Sequence, residues 1–225
     1  VPMRTRVTAA WLVAVAPLLG SCSATHDDPA AQPSPTETSS APSATSAAPE
    51  SDAPESDPPD VDPDDPALDV ALSRPVEDRV YPAVGDPGVV ALHYQLDLTW
   101  TPRSKTLDAV ERLTFRATET GEEFQLDFGK ALTISELRLD GEKADFGERG
   151  KDLVVRAPVR ADERYTLEVR YRGTPKPVAA PTTRDDFSTI GWTVTDKGET
   201  WTMQEPFGAY SWYAVNDHPS DKALY

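Results

Sequence analysis

Between Tyr165 and Arg172 the chain changes character at every residue, with Tyr165, Leu167, Val169 and Tyr171 alternating with Thr166, Glu168, Arg170 and Arg172. Successive side chains of an extended backbone point to opposite faces, so this stretch buries one face and wets the other only as a β-strand. The same period recurs along the second half of the chain. Leu92, Tyr94, Leu96, Leu98 and Trp100 alternate with His93, Gln95, Asp97 and Thr99. Leu113, Phe115 and Ala117 alternate with Arg112, Thr114 and Arg116, and Phe124, Leu126 and Phe128 with Glu123, Gln125 and Asp127. Leu153 and Val155 open another short strand. Ile190, Trp192 and Val194 form one more, followed after a turn at Lys197-Gly198 by Trp201 to Gln204. Within residues 132–139 the apolar phase slips at Ser135-Glu136, which predicts a bulge, and Asp140-Gly141 is a hairpin signal. No segment carries a sustained helical stripe. Many short strands with frequent turns predict an all-β fold, an antiparallel β-sandwich or saddle of about 8–11 strands.

The first third of the chain has no such pattern. From Ser23 to Val80 there is no aromatic residue, and Ala, Pro, Ser, Thr, Asp and Glu dominate. Such a segment has too little apolar surface to offset the cost of ordering its backbone, roughly 1–2 kcal/mol per residue, and is expected to be disordered. It also holds much of the charge: of the formal net −16, Asp27 to Asp69 contributes 12 acids and no Lys or Arg. Self-repulsion and proline then favour an extended tether. Asp60, Asp62 and Asp64 have the alternate spacing of a calcium loop, but Asp65 stands where that loop needs Gly and Ala71 where it needs Glu, so the run reads as linker. Neither half presents a basic face for nucleic acid. Ahead of the tether, Arg4 and Arg6 precede the apolar run Ala9 to Leu19, too short to span a bilayer as a helix and suited to an export signal. Leu19-Gly20-Ser21-Cys22 resembles a bacterial lipobox, whose Cys is lipidated; Cys22 is the chain's single cysteine, so no internal disulfide can form. The expected organisation is a lipoprotein signal peptide over residues 1–21, a disordered tether over 22–85 and a β domain over 86–225. The chain is then exported and lipid-anchored at the outer face of the cell membrane.

Chemistry is scarce on a first reading. The histidines are His26, His93 and His218, with none at His-x-x-x-His spacing, and no Ser lies in a Gly-x-Ser-x-Gly elbow. Asn216-Asp217-His218 before Pro219 reads as an Asx-type turn. The closing segment is more informative. Thr202-Met203-Gln204-Glu205-Pro206, then Ala209, Trp212-Tyr213 and Asn216-Asp217-His218-Pro219-Ser220-Asp221-Lys222-Ala223, resembles the end of the N-terminal domain of M1-family zinc aminopeptidases. His93 to Leu98 and the strands after it resemble the start of the same saddle-shaped domain. The resemblance implies that Glu205 is the substrate-pocket carboxylate that binds a peptide's free α-amine, with Gln204 or Met203 as its pocket-facing neighbour. It further implies that zinc, and the His-Glu-x-x-His motif that holds it, belong to a downstream catalytic domain of a full-length parent. This chain itself is expected to hold no metal and to be inactive alone. A different class, a self-standing surface sandwich that binds a protein or glycan through the Trp201–Tyr213 patch, fits the same composition.

Overall fold

The computed structural model describes residues 60–74, 76–181 and 188–225. The expected signal peptide, Cys22 and the tether as far as Pro59 lie outside the described residues. The remainder forms β1 (Val89–Thr101), β2 (Thr106–Ala117), β3 (Phe124–Asp127), β4 (Leu132–Leu139), β5 (Glu142–Lys143), β6 (Asp145–Arg149), β7 (Asp152–Arg156), β8 (Arg164–Gly173), β9 (Val178–Ala179), β10 (Thr189–Val194) and β11 (Thr200–Met203). Sheet order is β1-β2-β8-β4-β5, with two smaller sheets, β3-β7-β6 and β11-β10-β9. Every pairing between these strands is antiparallel. The fold is the all-β arrangement that the alternation predicts.

The core lies where the inner face of the large sheet meets β3 and β7. Leu113, Phe115, Leu167 and Val169 from one side and Leu126, Leu153 and Val155 from the other are fully buried in one cluster. Each such side chain contributes about 1.5–3 kcal/mol. Phe115 packs at 4.8 Å from Phe124 and 5.6 Å from Tyr165, ring centre to ring centre. The opposite face of the sheet is a ladder of ion pairs. Arg112 reaches Glu168 at 3.1 Å and Asp97 at 3.6 Å, and Arg170 lies between Glu168 at 2.9 Å and Glu136 at 3.6 Å. Two local predictions hold. β4 shifts register between Ile134 and Glu136, and Asp140 and Gly141 both have positive φ, 48° and 82°, as a tight hairpin turn requires.

Two features differ from the expectation. β1 carries its own bulge, between Ala91 and His93, so Leu92 does not share the inner face with Tyr94. Val90 and Leu92 instead form a second apolar patch with Leu68 and Ala71, against which Val61 and Leu224 pack. That patch explains the other difference: residues well before 86 already pack against the β domain. Pro66–Ala71 is a 3-10 turn whose Asp65 carboxylate accepts from the Ala67 N–H at 2.8 Å. With three residues per turn, Leu68 and Ala71 fall on one side and cover Val90 and Leu92. Arg164 secures the turn by donating to the Pro63 carbonyl at 3.1 Å and by an ion pair with Asp69. Asp62 accepts from the Asp64 N–H at 3.0 Å, so this part of the acidic run makes turn caps.

Candidate substrate-binding site

Past β11 the chain is stitched to strands far away in sequence. Val215 exchanges backbone hydrogen bonds with Asp127 at 2.8 and 2.9 Å, and the Ala214 N–H donates to a Glu111 carboxyl oxygen at 2.8 Å. Leu224 lies parallel to β1, donating to the Leu92 carbonyl and accepting from the Tyr94 N–H, each at 2.9 Å. The Asn216 side chain is the clip of this region. Its amide donates to the Val89 carbonyl and to Asp221, both at 2.8 Å, and its oxygen accepts from the Asp86 N–H at 2.7 Å. The Asn216 N–H donates to the Tyr94 hydroxyl at 3.0 Å. The next residue, Asp217, accepts from the Gly208 and Tyr210 N–H groups at 2.7 and 3.2 Å and so holds the 3-10 turn Ala209–Ser211. Burial pushes the Asp217 carboxyl up to about 7, against the pull of those donors. The Asn-Asp pair therefore makes long-range contacts where a local turn was the sequence reading. Only His218 behaves locally, its Nδ1 accepting from the Ser220 N–H at 3.2 Å.

These contacts border an open cavity of about 370 Å³ between β1 and the end of β11. Tyr94, Gln204, Trp212, Asn216, Asp221 and Tyr225 are among its walls. The aromatic side is continuous: Tyr94 stacks on Tyr225 at 5.4 Å and meets Tyr213 edge-on at 5.4 Å, and the Tyr213 and Tyr225 hydroxyls are 2.8 Å apart. Of the residues singled out from the sequence, Gln204 lines the cavity. Met203 pairs with Gly191 in the β10–β11 ladder and is not part of the wall. Glu205 is exposed just past β11, next to Gln204 but outside the lining, and has no ion-pair partner among the described residues.

Two buried acids escaped the sequence reading. Glu111 sits in the middle of β2, fully buried, with one carboxyl oxygen bonded to Ala214 and the other without a partner among the described residues. Burial pushes its carboxyl well above the usual range. A signal was present: Glu111 is in phase with Leu107, Ala109, Leu113 and Phe115. Asp127, assigned by alternation to a wet face, is also fully buried. It accepts from the Gly85 N–H at 2.7 Å and is ion-paired with Lys151; burial raises its carboxyl and the Lys151 ammonium opposes that rise. Among the described residues no three His, Cys, Asp or Glu side chains are grouped to hold a metal, so these residues do not fit a zinc site.

This antiparallel all-β arrangement is similar to part of several solved M1 zinc metallopeptidases. The solved structures most similar to it include a two-domain M1 zinc metallopeptidase mutant bound to L-arginine, at 27% identity and TM-score 0.56 over 65% of this chain and 34% of that one. The M1 zinc metallopeptidase from Deinococcus radiodurans matches at 27% and 0.56 over 64% of this chain and 32% of that one. A mutant of the Deinococcus radiodurans enzyme bound to a Tyr-Ser-Ala substrate matches at 27% and 0.54, over 65% and 34%. The chain thus spans about a third of the length of these structures. No family model matches the sequence, and no curated protein does.

Proposed function

We propose that this chain is the N-terminal β domain of an exported, lipid-anchored zinc aminopeptidase, and that it supplies the residues that receive the substrate's free N-terminus. The observation that carries the reading is the 27% identity, at TM-score 0.56, to M1 zinc metallopeptidases over 65% of the chain. The surroundings of Glu205 support it. Its carboxylate stands exposed, and unpaired among the described residues, beside a polar and aromatic cavity that Gln204 lines, so a peptide's α-ammonium group meets a charge free to bind it. In this reading Glu205 fixes the amine and so sets where the first peptide bond lies. Zinc would supply an activated water from a separate catalytic domain, since the described residues hold no site for it. Cys22 anchors the protein, and residues 23–59 separate the domain from the membrane.

The first check is the gene: the frame continued past Tyr225 should encode His-Glu-x-x-His. In a polypeptide carrying both domains, Glu205→Ala should lower kcat/KM for free-amine substrates by roughly ten- to a hundredfold, the loss of one charge-assisted hydrogen bond. N-acetylated substrates should be poor and lose little further. A change within about twofold for free-amine substrates would remove Glu205 from the amine site.

A further inference from the structure

We propose that Asp217 is a positioning residue for the amine site: its carboxylate clasps the turn that follows Glu205 and thereby fixes where the Glu205 carboxylate stands. The inference rests on the Glu205 reading and adds to it the group that holds the loop. Met203, the last residue of β11, is paired with Gly191. Among the described residues, Gln204 to Phe207 make no backbone hydrogen bond. The backbone is caught again at Gly208, and Asp217 is the group that catches it. One oxygen of its carboxyl accepts from both the Gly208 N–H at 2.7 Å and the Tyr210 N–H at 3.2 Å. The turn has a second hold, the Ser211 hydroxyl, which accepts from the Trp192 N–H at 2.9 Å, but that bond lies farther along the chain and leaves the Gly208 N–H to Asp217. The Phe207 ring meets Tyr81 edge-on at 5.3 Å and lies 6.5 Å from the Tyr210 ring, so the packing of the loop also leans on the clasped turn.

The strength of the clasp depends on the charge of one buried group. A carboxylate holds backbone N–H groups about twice as strongly as a neutral acceptor does. Asp217 is 9% exposed, and burial raises its carboxyl to about 7, so protons weaken the clasp near neutral pH. Above that value the charged form accepts from both N–H groups and the loop is held. Below it the neutral carboxyl holds them less, and Glu205 gains freedom to move. Among the groups that face Asp217, Asp127 in β3 adds to the rise and is itself ion-paired with Lys151. The Tyr210 and Tyr225 phenols are both raised and stay neutral, and His218 turns its Nδ1 to Ser220. Asp127 accepts from the Gly85 N–H and not from the turn, so its own titration is read at a different amide.

The test has two arms. On the whole chain, NMR follows the amide proton shifts of Gly208 and Tyr210, which should titrate together with a midpoint near 7. The Glu205 and Phe207 amides should lose order as pH falls through that midpoint. Both effects should vanish in Asp217→Asn, whose neutral amide keeps the shape, with unchanged β8 amides reporting that the variant is folded. In a polypeptide carrying both domains, Asp217→Asn should lower kcat/KM for free-amine substrates about tenfold near pH 8 and less than about twofold near pH 5.5, the ratio of the two proteins cancelling every group they share. Added to Glu205→Ala it should cost nothing further, because Asp217 acts through Glu205. The inference is overturned if the Gly208 and Tyr210 shifts stay flat, or if Glu205 and Phe207 keep their order while those shifts titrate. An equal loss of kcat/KM at both pH values, or a loss that adds to Glu205→Ala, overturns it in favour of a merely structural acid. A full effect of Glu205→Ala with Asp217→Asn within about twofold of the parent near pH 8 sinks this inference and leaves the Glu205 reading standing, whereas no effect of Glu205→Ala sinks both.

Discussion

Glu111 offers the sharpest test of the packing, because the fold keeps an acid where its neighbours in phase are apolar. Replacing it by Gln retains an oxygen for the Ala214 N–H at 2.8 Å and removes the ionisable group. Burial raises the folded-state value well above 4.5, the ordinary value that the unfolded chain has. Between those two values the folded protein holds a proton that the unfolded chain has released. The wild-type stability attached to this group is therefore complete below pH 4.5 and is lost as pH rises toward the folded value, by about 1.4 kcal/mol per pH unit. Glu111→Gln should match the wild type near pH 4 and gain on it steadily above pH 5. Asp217, raised to about 7, gives a slope of the same sign to both proteins, so their difference isolates Glu111. The assay is urea denaturation at half-unit pH steps. A difference that does not change between pH 5 and 7 would refute the claim that Glu111 is held neutral by burial.

Other substitutions probe other joints. Asn216→Ala removes hydrogen bonds to Val89, Asp86 and Asp221 at once and should cost about 2–4 kcal/mol in urea denaturation, with faster amide exchange at Asp86. Gly191→Ala drives a methyl group into the Ser211 hydroxyl at a φ of +89°, and a loss of about 2–4 kcal/mol in thermal or chemical unfolding is expected. Cys22→Ser should shift the expressed protein from the detergent phase to the aqueous phase in a phase-separation assay, and unchanged partitioning would count against the lipid anchor.

The strands were legible because a half-buried strand writes its two faces directly into the residue order. Tyr165 to Arg172 became β8, and the slip at Ser135-Glu136 became the β4 bulge. What alternation cannot report is the spatial partner. The β1 bulge is silent because Leu92 keeps formal phase with Tyr94 while pointing into a different cluster. Leu68 and Ala71 look like linker until the patch they cover is known, and so residues 60–85 were read as tether. Asp127 has a polar neighbour's phase, yet the segment around Val215 returns to cover it. At the candidate site, Gln204 and Glu205 stand out in the sequence only through a resemblance to a family pattern. Which of Met203 and Gln204 lines the cavity depended on the β10–β11 register, which no local signal sets.

The Asn216 clip also imposes an order of events on biosynthesis. The bond from its amide to the Val89 carbonyl joins residues 127 positions apart. At about 5–20 residues per second, the first strand waits roughly 6 to 25 seconds between its own synthesis and that of the residue that fastens its start. The β1–β2 hairpin can form locally in that interval, since loop closure is cheapest between near neighbours in sequence. Val89, the Asp86 turn and the Tyr94 hydroxyl stay unfastened until nearly the whole described chain has been made. The domain is therefore most vulnerable to capture by chaperones, proteases or neighbouring nascent chains while its earliest-made strand awaits residues from its latest-made segment.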